Sequence, residues 1–217
     1  KPSTLVYQEI VASYLGPGVK VLDLGCGRGG VIERLHPLAS LAVGVDADLA
    51  SLREHRAPAV FRVQALAENL PFPPCSFDLV ISSWVLEHLA EPEKTFEEIA
   101  RVLKPGGHFV FLTPNLLNPI PRLGRELAKF GSFLQRSLVA GLYGRQGHDV
   151  FHPHYRANTP RRIDELASRA GLRKISLLPI GDPTYLAFNR IFFRLSVRLE
   201  DLIPRERKVH LVGVYEK

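Results

Sequence analysis

The hydrophobic pattern of the first half of the chain alternates between two periods. Residues 19–24 form a short apolar run ending at Gly25, as expected of a strand buried on both faces of a parallel sheet. Before it, residues 4–15 place Leu5, Ile10, Val11, Tyr14 and Leu15 roughly on one helical face, and Gly16-Pro17-Gly18 stops that helix. Further strand-like runs follow at 41–45, 60–63, 77–82 and 108–113, with helical segments at 49–55 and 92–103. This alternation is the pattern of βαβ units, whose right-handed crossovers bring the carboxyl ends of the strands to one edge. Ligands bind along that edge, so the pattern predicts function at residues 25–30, 46–48, 64–72 and 82–88.

Beyond Pro114 the pattern changes. Residues 114–160 read as an insertion: an Asn-Leu-Leu-Asn-Pro segment, an amphipathic stretch through Leu123, Leu127, Phe130, Leu134 and Leu138, then a loop rich in Gly and His. Helical periodicity resumes at 160–170, Gly171 caps it, and residues 173–178 read as a strand. A helix at 186–202 aligns Phe188, Ile191, Phe192, Leu195, Leu199 and Leu202 on one face and Arg190, Arg194 and Arg198 on another. Docking on the sheet is its expected role, with a dimer contact or a basic membrane-surface helix as the alternatives. The last strand is expected at 209–215. A single domain over 1–217, with 114–160 inserted as a cap, accounts for the order of elements.

Composition adds boundaries. A chain of 217 residues with 46% hydrophobic content can bury one sizeable core. No run of eighteen uncharged apolar residues occurs, and residues 1–15 lack the order of a signal peptide, so a cytoplasmic protein is expected. Cys26 and Cys75 show no paired spacing, which predicts neither a disulfide nor a zinc site. The net charge is +6, and residues 114–162 alone carry eight Arg or Lys against Glu126 and Asp149. Such a segment attracts an anionic partner or a membrane surface, although a solvated basic face has the same composition. Neither an RNA-binding module nor an aromatic and basic stacking platform is present, so nucleic acid is not the expected partner.

The chemistry concentrates where the strands end. Asp23-Leu24-Gly25-Cys26-Gly27-Arg28-Gly29-Gly30 links the first strand to a helix beginning near Val31, and its glycines let a ligand approach backbone amides. Gly25, Gly27 and Gly30 also satisfy a dinucleotide fingerprint, so the loop alone leaves nicotinamide and S-adenosylmethionine cofactors open. Asp46 ends the second strand 21 residues beyond Gly25, where a carboxylate can accept from both ribose hydroxyls of an adenosine. Its competing role is to cap the following helix, for which Asp48 is better placed.

Six blocks in order separate the two cofactors: Val-Leu-Asp-Leu-Gly-Cys-Gly-Arg-Gly at 21–29, Val-Gly-Val-Asp at 43–46, Ala-Glu-Asn-Leu-Pro-Phe at 67–72, Ser-Phe-Asp-Leu-Val-Ile at 76–81, Val-Leu-Glu-His-Leu at 85–89 and Val-Leu-Lys-Pro-Gly-Gly at 102–107. Together they resemble the class I S-adenosylmethionine-dependent methyltransferases of the small-molecule, type 11-like family. The resemblance is dense over residues 5–113. It implies a Rossmann-like α/β three-layer sandwich with a mostly parallel seven-stranded sheet and an antiparallel last strand. It further implies that Asp23 and the backbone of Gly25, Cys26 and Gly27 hold the methionine part of the cofactor. Asp46 and Ala47 would meet the ribose and Ala67 and Glu68 the adenine, while Ser82 and Ser83 close the site. The family often has an Asp just before the Ala-Glu pair; Leu66 stands there, which leaves adenine to backbone groups or to Glu68.

Methyl transfer needs a general base only when the acceptor must lose a proton. His88, His148 and Tyr155 are the candidate catalytic residues, with His152, His154, Trp84, Arg156 and Asn158 as candidate acceptor contacts. His88 has the alternative of packing beneath the site. Ubiquinone-pathway O-methyltransferases, which this region also resembles, carry a second Glu three residues before the Glu-His pair; Trp84 stands there, so no metal is expected. The expected acceptor is small or lipid-linked, an anionic one suiting the basic segment, and it is methylated at oxygen or carbon. The alternatives are a catalytically silent S-adenosylmethionine-binding regulatory or scaffold protein and a nicotinamide dehydrogenase. The dehydrogenase leaves the Leu-Pro-Phe, Phe-Asp-Leu-Val and Leu-Lys-Pro-Gly-Gly blocks unexplained.

Overall fold

In a computed structural model that describes residues 1–129, 153–182 and 202–217, the alternating runs become one seven-stranded sheet between helical layers. The elements are α1 (Ser3–Ser13), β1 (Lys20–Leu24), α2 (Val31–Leu35), β2 (Leu41–Asp46), α3 (Leu49–Arg53), β3 (Phe61–Gln64), β4 (Phe77–Ser83) and α4 (Pro92–Val102). They continue with β5 (Leu103–Pro114), α5 (Pro119–Lys129), α6 (Pro160–Arg169), β6 (Arg173–Ile180) and β7 (His210–Glu216). The strand order is β3-β2-β1-β4-β5-β7-β6. The first five strands pair in parallel, and β7 runs antiparallel to both β5 and β6. The expected α/β architecture, with its antiparallel last strand, is the one observed.

The strands sort their side chains with the two-residue period of a pleated sheet. Leu22, Leu24, Val80, Phe109, Phe111 and Tyr215 pack one core with α4 and α6, through Phe96, Ile99, Ile163 and Leu166. Val21, Leu79, Ile81, Val110, Leu112 and Val214 face the opposite way and pack against Tyr7 and Val11 of α1 and Ile32 of α2. Both faces are covered, which is why the runs read as continuously apolar. At Gly213 an added Cβ would come within 2.2 Å of the Phe111 ring, so this glycine makes room for an aromatic on the neighbouring strand.

Two differences from the expected elements have physical causes. β5 starts at Leu103 rather than 108, because Leu103 pairs with Phe77 before the register shifts to Leu79 opposite His108. Lys104-Pro105-Gly106-Gly107 is thus an irregularity within a strand, with Gly106 at φ +76° and Gly107 too close to Lys104 O and Asp78 O for a side chain. In α1 the buried face is Ser3, Tyr7 and Val11, whereas Leu5, assigned by periodicity to the buried face, is 46% exposed. Polar partners from distant parts of the chain turn the helix. Ser3 backbone N–H and Oγ donate to Asp182 Oδ2 at 3.3 and 3.1 Å, and Ser3 Oγ lies 2.8 Å from His210 Nδ1.

The predicted helix at 186–202, apart from Leu202, and Phe130, Leu134 and Leu138 of the insertion lie outside the described residues. Leu123 of α5 is 60% exposed. Among the described residues no helix is long and apolar enough to cross a membrane.

Candidate functional site

The carboxyl ends of β1, β2 and β4 meet where the glycine loop leaves β1. Gly25 (φ +73°) and Cys26 donate their backbone N–H to Val45 O at 2.8 and 3.0 Å, which ties the loop to β2. A Cβ on Gly25 would strike Val85 Cγ2 at 2.2 Å, so loop and post-β4 segment are in direct contact there. Gly27 differs: its φ of +49° disfavours a side chain, yet nothing lies within 4 Å of the Cβ position. The backbone there faces open space. Arg28 braces the far side of the loop, pairing with Glu54 at 2.5 Å while its carbonyl accepts from Arg56 N–H at 3.0 Å.

Two acids flank this opening. Asp46 accepts from Gly27 N–H and Asp48 N–H, both at 2.8 Å, one on each oxygen. Each oxygen keeps a lone pair for a further donor. Asp48 accepts from Ala50 and Ser51 N–H and so caps α3, which leaves Asp46 free of that job. Asp23 is 6% exposed and lies on the α1 face of the sheet. Burial, and then the neighbouring Asp46 carboxylate, push the Asp23 carboxyl up to about 7. Such an acid, beside a second one, takes up a cation readily because the cation restores the ionised form. Burial first, then Asp23 and Asp46, push the Cys26 thiol up as well, so its sulfur stays protonated and packs against Gly44.

The remaining cofactor candidates lie around the same opening. Ala47 is exposed, and its carbonyl accepts from Gln64 Nε2 at 3.0 Å. Ala67 packs against the core, Glu68 is half-buried, and Leu66 is 61% exposed. Leu70 is a core residue, and the partly buried Phe72 packs against that core, edge-on to Phe77 at 5.0 Å. Ser82 is fully buried, and its Oγ has no hydrogen-bond partner among the described residues; Ser83 is half-buried at the end of β4.

The segment after β4 gathers the candidate acceptor residues. Trp84 sits at φ +61°, its ring edge-on to His210 at 4.8 Å, and Leu86, Glu87 and His88 form a short 3-10 turn. His88 is half-buried, with its N–H donated to Val85 O at 2.8 Å. Glu87 O accepts from both His154 N–H and Tyr155 N–H, at 2.7 and 2.9 Å. The turn bearing His88 therefore holds the loop bearing Tyr155, which sits at φ +52° and is half-buried, while His154 and Arg156 are exposed. His148 and His152 lie outside the described residues.

Three further side chains form a buried set that the motifs did not single out together. Thr113 Oγ1 donates to Glu87 Oε2 at 3.1 Å and accepts from Asn158 Nδ2 at 2.7 Å. Tyr7 is also new to the site: it is 1% exposed, and its phenol lies against the backbone of Ser82, within electrostatic reach of Asp23. The i, i+4, i+8 row Ser3-Tyr7-Val11 was readable, but the apolar row through Leu5 outcompeted it.

Comparison with known proteins agrees with this arrangement. Residues 22–111 match the model of the family described as "Methyltransferase domain". A demethylmenaquinone methyltransferase of Paenarthrobacter aurescens is 36% identical over 125 residues, covering 57% of this chain and 48% of the relative. A phthiotriol/phenolphthiotriol dimycocerosates methyltransferase of Mycobacterium tuberculosis is 35% identical over 108 residues, covering 45% of this chain and 39% of the relative. The chain thus spans less than half the length of these curated relatives. In fold it is similar to an S-adenosylmethionine-dependent methyltransferase from Mesorhizobium loti, with a TM-score of 0.67 at 20% identity, covering 97% of this chain and 95% of that one. The matched residues span the strand ends that build the site, and over them the chain is similar to S-adenosylmethionine-dependent methyltransferases.

Proposed function

We propose that this protein transfers the methyl group of S-adenosylmethionine to a small or lipid-linked acceptor, at oxygen or carbon, with release of S-adenosylhomocysteine. The observation that carries the reading is the opening between Asp23, Asp46 and Gly27. It offers an acid whose ionisation a cation would favour, a second acid with spare acceptor capacity, and exposed backbone. These suit an amino-acid cation, a ribose diol and the close approach of a flat ligand. Asp23 and the backbone of Gly25, Cys26 and Gly27 would hold the methionine part, Asp46 and Ala47 the ribose, and Ala67 and Glu68 the adenine edge. Ser82 and Ser83 would close the site below.

When bound, the cofactor supplies an electrophilic sulfonium methyl. The protein's own task is to align an acceptor with it and to exclude water. His88 and Tyr155 sit on segments joined through Glu87 and would border the acceptor; His148 would join them from the insertion. Residues 114–160 would form the cap, whose basic excess favours an anionic acceptor and whose apolar residues favour a greasy one. The lipid and quinone relatives support that class of acceptor.

Calorimetric titration with S-adenosylmethionine, with NAD as the control ligand, tests cofactor choice. Transfer of radiolabelled methyl to a panel of quinols, polyketide lipids and isoprenoid phosphates tests turnover. Tight binding of NAD would sink the reading, and binding of S-adenosylmethionine with no transfer to any class would favour a silent binding protein.

A further inference from the structure

The mechanism above leaves Tyr7 unused, although it is among the largest fully buried side chains in the molecule. Its O–H finds no acceptor among the described residues, although the backbone of Ser82 lies against the phenol oxygen. A buried phenol without a partner forfeits the interaction it had with water, and native proteins keep such groups chiefly where something else fills the vacancy. Phe would fill the same volume without that cost. The surroundings indicate what the hydroxyl is kept for. Tyr7 projects from α1 toward the ends of β1 and β4, where Asp23, the buried acid of the glycine loop, also lies. Two buried polar groups on different elements thus lie within electrostatic reach of each other, and Asp23 does not satisfy the hydroxyl.

We infer that Tyr7 is a cofactor-binding residue: its hydroxyl is the donor for the negative charge that the pocket holds at the amino-acid end of the bound ligand. This rests on the proposal that Asp23 receives that end of S-adenosylmethionine. Filling the pocket leaves Asp23 ionised beside the ligand's ammonium and carboxylate groups, and a phenol O–H aimed there gains a charged acceptor. Burial and the proximity of Asp23 both push the Tyr7 hydroxyl above its ordinary range, so it remains a donor throughout.

The placement of α1 supports a positioning task. Asp182, 179 residues away, accepts from Ser3 N–H and Oγ and so supplies the cap that Pro2 cannot. Ser3, Tyr7 and Val11 are the helix's buried row. Fixing Ser3 from outside therefore fixes where Tyr7 points, one turn further on.

The test is Tyr7→Phe, measured with two ligands. S-adenosylmethionine affinity should fall about tenfold, the worth of one hydrogen bond to a charged group. Affinity for 5′-methylthioadenosine, which lacks the amino-acid end, should be unchanged. Without ligand the variant should melt at the parent temperature or above it, since it removes an unsatisfied buried group. Equal loss for both ligands, unchanged binding of S-adenosylmethionine, or a drop of several degrees in the ligand-free melting temperature would each overturn the inference. A drop of that size would assign the hydroxyl to the fold. A parent protein that binds neither ligand would instead overturn the cofactor reading on which the inference stands.

Discussion

Asp23 and His210 are buried titratable groups with opposite debts to solvent. Burial, reinforced by Asp46, raises Asp23 to about 7, while burial lowers His210 to about 4 against the pull of Asp182. Between pH 4 and 6.5 the unfolded chain carries an ionised Asp23 and a protonated His210; the fold carries both neutral. The proton counts are equal, so the two slopes of stability against pH cancel. Single substitutions should unmask them. Asp23→Asn leaves His210 alone, whose depressed value means stability is lost as pH falls from 6.5 toward 4. His210→Asn leaves Asp23 alone, whose raised value means stability grows as pH falls from 7 toward 4. Each slope approaches about 1.4 kcal/mol per pH unit at most. Urea unfolding at pH 4.5, 5.5 and 6.5 checks the signs, and parallel slopes in the two variants would refute the pairing. Asp46 acts at the same scale: Asp46→Ala should weaken S-adenosylmethionine binding by roughly 1–3 kcal/mol, through loss of a charged acceptor for two hydroxyls. Gly27→Val should do at least as much, because it forces a branched side chain to positive φ in the opening. Normal binding by both folded variants, read by calorimetry, would mean that the cofactor lies elsewhere.

Among the elements, α1 depends most on distant contacts. The Ser3 N–H at its start is satisfied by Asp182 rather than by a neighbour, so Asp182→Ala should cost about 1–2 kcal/mol, the range of a lost cap plus a stranded Ser3. Thermal melting and hydrogen exchange in residues 3–13 would report it, and unchanged protection there would show that packing alone holds the helix. The same element shows where sequence reading stops. β1, β2 and β4 were legible because a strand buried on both faces leaves a nearly continuous apolar run, ended by Gly25 after β1 and by Asp46 in β2. The α1 face was not, since Ser3 is turned inward by groups that lie 179 and 207 residues along the chain. Periodicity sees only neighbours. The Lys-Pro-Gly-Gly irregularity in β5 escaped for a related reason, as its pairing with Phe77 is a property of two strands together. The places of the glycine loop and Asp46 at the strand ends were readable because a glycine turn after an apolar run is a local signal, whereas Tyr7, proposed above to join them, was hidden behind an ordinary helical pattern.

For the whole molecule, the roots of the proposed cap are held by hydrogen bonds to distant parts of the chain. Asn115 Nδ2 donates to Glu206 O and Lys208 O at 3.0 and 2.8 Å, and Asn118 Nδ2 donates to Arg207 O at 2.8 Å. On the return side, Leu116 N–H donates to Asn158 O at 2.8 Å. Both roots are thus anchored on the scaffold independently of residues 130–152. Replacing 119–152 by a short glycine-serine linker should leave S-adenosylmethionine affinity within about threefold of the parent while abolishing methyl transfer. The roots already hold each other, and the proposed cofactor contacts lie within residues 23–83. A linker variant that folds, binds cofactor and still methylates its acceptor at the parent rate would remove the cap from the mechanism.

The order of the sheet has a consequence for biosynthesis. β7 lies between β5 and β6 and is the partner of both, so during translation β6 leaves the ribosome with nothing to pair with, and β5 keeps an open edge beside β4. That edge includes Phe109, Phe111 and Leu112, all fully buried in the finished sheet. A nascent chain ending anywhere before His210 exposes an apolar strand edge of the kind that recruits other chains. Ribosomal stalling or proteolysis within residues 183–209 would therefore yield aggregation-prone fragments rather than a partly active domain. β7 is thus the strand on which both open edges wait.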